Sequence, residues 1–304
     1  MPAAWWRLEM ACPEELEDSL LWTLQSLGVG RVAVRHRPQA PGERQLLAWL
    51  PAGDGPADQR AEIERRLAPL GEPFGIQVPP VRWRRQEEED WSRTWKRHWG
   101  PDPVGERLLI LPAWLDPPAR HAGRLVIRID PGSAFGTGSH PSTRLCLEAL
   151  EGRPPAGLRV ADLGCGSGIL SLAALRLGAR EVAAADTDPL AVRATRENAA
   201  LNGFPVLRVT GGSVDALAAL LEGRPADVLL CNILAPVIER LCPGFERLLA
   251  PGGIGWLSGL LVDQVPALEG ALAAAGWRAE LVARKEPWGL LAIRRAGAGA
   301  VNVA

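Results

Sequence analysis

The sequence predicts an α/β chain in two parts: a smaller α+β domain, then a larger domain built on a doubly wound parallel sheet. Three observations carry this. Residues 1–84 alternate strand and helix signals in the order βαββαβ. From about residue 107 apolar strands alternate with helical runs. One of those strands, ending at Asp162, runs into a glycine loop and then a helix. At 304 residues the chain has the length of about two domains.

The N-terminal elements follow from their periodicity. Residues 4–11 (AWWRLEMA) read as a strand. Residues 13–27 start at Pro13 and two glutamates, place Leu16, Leu20, Leu24 and Leu27 on one face, and stop at Gly28 and Gly30. Residues 31–36 and 45–50 read as two strands joined by a Pro/Gly turn. Residues 56–70 read as a second helix and 75–83 as the last strand. That order predicts a ferredoxin-like domain over residues 1–84.

Residues 85–103 form a separate linker. Asp90 is placed to cap a helix whose Trp91, Trp95 and Trp99 are four apart and share a face. That stripe is expected to lie on a domain, the alternative being a partner-binding helix. The acidic run from Glu87 to Asp90 suits a solvated helix start. Residues 104–295 form the larger domain, and 296–304 are a Gly/Ala-rich tail expected to be flexible.

In the larger domain, strands are expected at 108–111, 125–129, 159–163, 181–185 and 227–231, and helices at roughly 140–151, 168–177 and 189–202. The segment VADLGCGSG (160–168) ends an apolar strand at Asp162 and follows it with Gly164, Gly166 and Gly168. Glycines let the backbone turn sharply and approach a ligand. The helix behind them offers unpaired N–H groups. The next strand ends at Asp186, 22 residues after Gly164, where an acidic side chain suits ribose hydroxyls. Asp188 and Pro189 then read as cap and first residue of a helix. Dinucleotide sites favour G-x-G-x-x-G; this chain has G-x-G-x-G, which resembles the S-adenosylmethionine (SAM) site of Rossmann-like methyltransferases.

Ahead of that strand lies PGSAFGTGSHPST (131–143), a turn-rich loop in which Ser139 or Ser142 is placed to cap the following helix. Taken with DLGCGSG, AADTDP and CNILA, and with the linker DWSRTWKRHWGP, it resembles the ribosomal protein methyltransferase A family, whose members trimethylate the large-subunit ribosomal protein L-eleven. The similarity runs from about residue 125 to 293. The N-terminal domain is similar in size and element order more than in residues.

The resemblance implies a Rossmann-like class I methyltransferase domain and SAM contacts at Thr143, Gly164, Asp186 and Asn232. Gly166 belongs to the same glycine loop. Phe135 and Gly136 are expected to help close the loop over the cofactor, and Ser213 to lie near the adenine. Asn232 ends an apolar strand at the carboxyl edge, where the reacting centre belongs, and is the first catalytic candidate. Amide and adenine-N6 methylases carry Asn/Asp-Pro-Pro-Tyr/Phe there. Ile233, Leu234 and Ala235 stand here instead, which suits an amine on a flexible stem better than a planar target. His140 has two readings: a base for the incoming ammonium, or a structural residue holding its loop.

Composition narrows the chemistry further. The chain has no tyrosine and four histidines, and only Lys96 and Lys285 among its 34 basic residues are lysine. No phenolate base is therefore available. The net charge of −1 lacks the basic excess of phosphate-driven nucleic-acid binding, so no direct nucleic-acid contact is expected. Five widely spaced cysteines with no CxxC pair predict neither a disulfide framework nor a metal site. No leader or membrane span is read, and a cytoplasmic location is expected.

The expected function is SAM-dependent trimethylation of lysine ε-amines and the N-terminal α-amine of ribosomal protein L-eleven, by a protein-lysine N-methyltransferase. A hinge at residues 84–103 would let one active site reach several amines. Two alternatives stay open: an RNA methyltransferase, disfavoured by charge and by missing RNP-type aromatics, and a non-catalytic SAM-binding interaction protein.

Overall fold

The computed structural model describes residues 4–37, 40–51, 56–87, 99–130 and 138–297. The chain divides into two compact units, Met1–Gly100 and Pro101–Ala304. The segment holding Trp91 and Trp95, the loop holding Phe135 and Gly136, and the tail from residue 298 lie outside the described residues.

In the first unit, strands β1 (Ala4–Ala11), β2 (Val32–Arg37), β3 (Ala40–Pro51) and β4 (Arg82–Glu87) form an antiparallel sheet in the order β2-β3-β1-β4. Alternation along each strand turns Leu8 and Met10, Val32 and Val34, and Leu46, Ala48 and Leu50 to one face. They bury against Leu20 and Leu24 of α1 (Glu17–Ser26) and Ile63 and Leu67 of α2 (Pro56–Leu67). This is the expected βαββαβ order with one correction. The last strand is not 75–83 but starts at Arg82 and runs past residue 84. Gly75 ends a 3-10 turn at φ 64°, and Pro79 and Pro80 have no N–H to give a ladder, so pairing begins only after them.

The second unit carries two sheets where the sequence predicted one. β5 (Asp102–Val104), β6 (Leu108–Pro112) and β7 (Leu125–Ile129) form a small sheet of their own. Backbone groups at the end of β7 bond to side chains instead of a further strand. Asn202 accepts the Arg128 N–H at 2.8 Å and donates to the Arg128 carbonyl at 2.6 Å, and Asn198 accepts the Asp130 N–H at 2.9 Å. Side-chain amides reproduce a strand's donor and acceptor pattern and so close that edge.

The main sheet has seven strands in the order β10-β9-β8-β11-β12-β14-β13. These are β8 (Arg159–Leu163), β9 (Glu181–Asp186), β10 (Arg208–Gly211), β11 (Ala226–Asn232), β12 (Leu249–Leu261), β13 (Trp277–Lys285) and β14 (Trp288–Arg295). The first five in spatial order are parallel; β14 pairs antiparallel with both β12 and β13. The helices are α3 (Pro141–Gly152), α4 (Ile169–Arg176), α5 (Pro189–Leu201), α6 (Val214–Leu220), α7 (Ala235–Leu241) and α8 (Val265–Ala274). Ala161, Leu163, Ala183 and Ala185 pack one sheet face against α6, α7 and α8. Ala184, of opposite parity, packs the other face with Val192 of α5. Both faces are thus covered, which explains the continuous apolar runs of these strands. Trp256, Trp277 and Trp288 are all buried.

The strand order reverses between β8 and β11. Successive crossovers lead one way from β8 to β10, and the chain then returns to the other side of β8. Such a switch point leaves a crevice at the carboxyl ends of the strands, where ligands of open α/β sheets bind.

Candidate functional site

Register puts the predicted residues in one row. Leu163 pairs with Ala185 on one side and Cys231 on the other, so the next residues, Gly164, Asp186 and Asn232, follow side by side at the carboxyl edge. Gly211 pairs with Asp186 and Ser258 with Asn232, extending the row.

The glycine loop is tightly specified. Gly164, Gly166 and Gly168 have φ of 80°, 55° and 82°, a region that L side chains rarely adopt. A Cβ at Gly164 would also stand 2.4 Å from Ile233 Cγ2. The Gly164 N–H bonds the Ala185 carbonyl at 2.8 Å, and the Gly166 carbonyl accepts from Thr195 Oγ1 at 2.9 Å. Cys165 is buried, with its Sγ 3.3 Å from Thr195 Oγ1, whose one hydrogen goes to Gly166. Its thiol is pushed well above the usual range, by burial first and then by the Asp162 charge, so it is no thiolate nucleophile.

Asp186 ties strand, loop and helix together. Its Oδ2 accepts the Gly166 N–H and its Oδ1 the Asp188 N–H, each at 2.9 Å. Burial raises its carboxyl above the ordinary value, and those backbone donors pull it back. A carboxylate has about four lone-pair sites, and the backbone donors of Gly166, Thr187 and Asp188 leave it room to accept from ligand hydroxyls. Asp188 caps α5, its Oδ1 accepting the Leu190 N–H at 2.8 Å, with Pro189 at the first helical position.

Asn232 and Thr143 meet. Thr143 sits in the first turn of α3, is buried, and accepts a hydrogen bond from Asn232 Nδ2 at 3.1 Å. The Asn232 Oδ1 is then a buried acceptor with no partner among the described residues. Ser213 follows the Gly212 turn, whose N–H bonds the Asp186 carbonyl at 2.8 Å, and stands at the start of α6.

His140, not Ser139 or Ser142, caps α3. Its Nδ1 accepts the Ser142 N–H at 3.3 Å and lies 2.7 Å from Ser142 Oγ, which leaves the ring proton on Nε2. The ring is 2% exposed and meets Trp288 edge-on, centroids 4.4 Å apart. The capping role was hidden because Ser and Thr outrank His as caps.

One residue of this region was only a landmark in the sequence. Asp162 is 1% exposed. Its Oδ2 accepts the Ser171 N–H at 3.1 Å and the Ser171 hydroxyl at 2.6 Å; its Oδ1 has no partner among the described residues. Burial pushes its carboxyl up to about 6, Ser171 opposing and the Asp186 charge adding to the rise. The native value lies above the unfolded one of about 3.9, so the folded protein holds this proton more tightly. Stability therefore falls as pH rises through that window, by roughly 3 kcal/mol once both states are ionised. Asp162→Asn keeps an acceptor for Ser171 and cannot ionise. Its stability advantage over wild type should widen between pH 5 and pH 8 by on the order of 1 kcal/mol. Thermal unfolding of both proteins at the two pH values checks this; a difference that ignores pH would refute it.

Among the described residues no group of three or more His, Cys, Asp or Glu could hold a metal ion, and no helix is long and apolar enough to cross a membrane.

The family model described as ribosomal protein L11 methyltransferase (PrmA) matches residues 4–296. A ribosomal protein L11 methyltransferase of Synechococcus sp. (strain RCC307) is 63% identical over 301 residues, covering 97% of this chain and all of that protein. One from Parasynechococcus marenigrum (strain WH8102) is 62% identical over 288 residues, 94% of this chain and all of that protein. Among solved structures, a ribosomal protein L11 methylase from Lactobacillus delbrueckii subsp. bulgaricus is similar at a TM-score of 0.59 and 35% identity, over 65% of this chain and 99% of that one.

Proposed function

The chain belongs to the ribosomal protein L11 methyltransferase (PrmA) family of SAM-dependent enzymes, and we propose that it trimethylates lysine ε-amines and the N-terminal α-amine of ribosomal protein L11 in the cytoplasm. The observation that supports the placing of the reaction is the row Asp186, Gly164, Asn232, which ends on a buried acceptor awaiting a donor.

The residues fit SAM. Asp186 offers acceptor sites to ribose hydroxyls, and the positive-φ glycines keep Cβ atoms out of the loop that a nucleoside must approach. Asp162 and Asn232 hold buried oxygens with no partner among the described residues, a cost that a nearby cation lowers. When bound, SAM supplies an electrophilic methyl group on a sulfonium sulfur. Gly164, Gly166 and Asp186 hold the nucleoside end; Phe135, Gly136 and Ser213 are assigned to the same cofactor.

In the first two transfers Asn232 Oδ1 accepts a hydrogen bond from the neutral amine, which turns the nitrogen lone pair toward the methyl; the dimethylated amine has no N–H left and is held for the third by the shape of the site. Thr143 holds the Asn232 amide in that orientation by accepting a hydrogen bond from Nδ2. His140 is assigned to positioning: its Nδ1 is occupied by the cap, and the cap fixes the helix turn that carries Thr143. Methyl transfer needs the nucleophile in line at about 3–3.5 Å, so holding geometry is the main task of these residues. The first unit, with the segment between β4 and β5, is assigned to recognising the substrate protein and presenting its several amines.

The test is methyl transfer from labelled SAM to purified ribosomal protein L11 and, in parallel, to ribosomal RNA. The expected result is label in L11 amines, up to three methyls per site by mass. Label in RNA alone, or in neither, would refute the proposal.

A further inference from the structure

The peptide after Asn232 is held so that one side chain goes inward and the next outward. The Ile233 N–H bonds the Ser258 carbonyl at 3.2 Å. A Cβ at Gly259, which has φ 80°, would come within 2.5–2.9 Å of the Ile233 backbone. Ile233 packs toward the core, with its Cγ2 over Gly164. Leu234, the next residue, is left 51% exposed at the carboxyl edge, two residues from Asn232.

Leu234 is also the N-cap of α7, with φ −58° and ψ 140° and no side-chain cap bond. Its carbonyl accepts the Val237 and Ile238 N–H groups, but its side chain can satisfy none of the first-turn donors. Ser, Asp or Asn would stabilise the helix here, and any of them would also remove exposed apolar surface. Leucine is thus unfavourable on two independent counts, at a place beside the reacting centre. Breaking a local rule in such a place is the mark of a side chain kept for function.

We propose that Leu234 is a specificity-determining residue: the aliphatic wall along which the stem of the substrate's amine-bearing side chain lies. This rests on the amine-methylating reading above. A branched aliphatic side chain offers contact to a methylene chain and no flat surface for an aromatic or amide plane. The longer the stem between backbone and amine, the more of Leu234 it covers. Lysine should therefore be favoured over its shorter homologues.

The experiment compares the full-length wild type, Leu234→Asn and Leu234→Met. Substrates are ribosomal protein L11 and peptides carrying lysine, ornithine or 2,4-diaminobutyrate at one position. Leu234→Asn should keep or raise the thermal midpoint, because it supplies a cap, and should leave SAM affinity within about twofold. Its KM for lysine should rise about tenfold with little change in kcat, and its preference for the longer stem should flatten. Leu234→Met should restore both. Wild type inactive on every amine would overturn the reading and this assignment together. An active wild type that Leu234→Asn matches in KM and stem preference would overturn the assignment alone. Loss of SAM affinity in Leu234→Asn would also overturn it, since the side chain would then serve the cofactor.

Discussion

Asp186→Ala should lose SAM affinity by about a hundredfold or more while the chain stays folded. The carboxylate is asked to accept the two ribose hydroxyls, and hydrogen bonds to a charged acceptor contribute about 1.5–3 kcal/mol each. Two such bonds make roughly 3 kcal/mol or more, which is a factor above one hundred. The substitution has a second effect that can be separated from the first. Gly166 and Asp188 each lose the acceptor for a backbone N–H. Loop and helix start should loosen, lowering the thermal midpoint by a few degrees, as a loss of about 1–2 kcal/mol does in a domain of this size. Asp186→Asn distinguishes the two effects. It keeps one acceptor oxygen for the backbone but turns an N–H₂ toward hydroxyls that need acceptors only in part. Its midpoint should recover more than its affinity does. Isothermal titration with SAM, run beside thermal unfolding, reads both. Unchanged affinity in Asp186→Ala would remove the cofactor from this edge of the sheet.

What the sequence made legible was local. A strand end, three glycines and a helix cap are written in nine consecutive residues, the strand running one residue past the expected Asp162 to Leu163, and the positive-φ turns follow from backbone sterics. Asp186 and Asn232 were legible for the same reason: each is the polar residue that ends an apolar run, and parallel strands bring such ends to one edge. What stayed hidden depends on partners far along the chain. The runs at 108–111 and 125–129 look like any buried strands; that they form a separate sheet depends on Asn198 and Asn202, some 70 residues on. The insertion of β14 between β12 and β13 is a pairing choice that periodicity does not encode. The late start of β4 was readable in retrospect from Pro79-Pro80, a stronger signal than the apolar alternation around it. Asp162 was visible as a residue, but its burial and its orphaned oxygen were not, because both come from the packing of α4 and the strands beside it. His140 as a cap was hidden behind two better capping residues.

Asn232→Ala should separate turnover from binding. The expected result is a kcat loss of roughly a hundredfold or more, the size seen when one preorganised polar group is removed from a reacting centre. SAM affinity should change less than tenfold, because the anchors proposed for the cofactor, Gly164 and Asp186, are untouched. The loss comes from Oδ1. A buried acceptor without a partner costs about 1–3 kcal/mol, and Thr143 keeps it in that state by occupying Nδ2. On the proposed reading the cost is relieved when an amine that still carries an N–H donates to it, and that same bond would turn the nitrogen lone pair toward the methyl. Thr143→Val keeps the volume and removes the acceptor for Nδ2, so the amide is free to rotate. Its kcat loss should be smaller, about tenfold, and the double variant should lose little beyond Asn232→Ala alone, because the two residues act as one unit. Initial rates with labelled SAM, with titrations of each variant, give the cycle. Additive losses would mean that Thr143 acts on the cofactor independently. A kcat within about twofold of wild type in Asn232→Ala would place the amine elsewhere along the row.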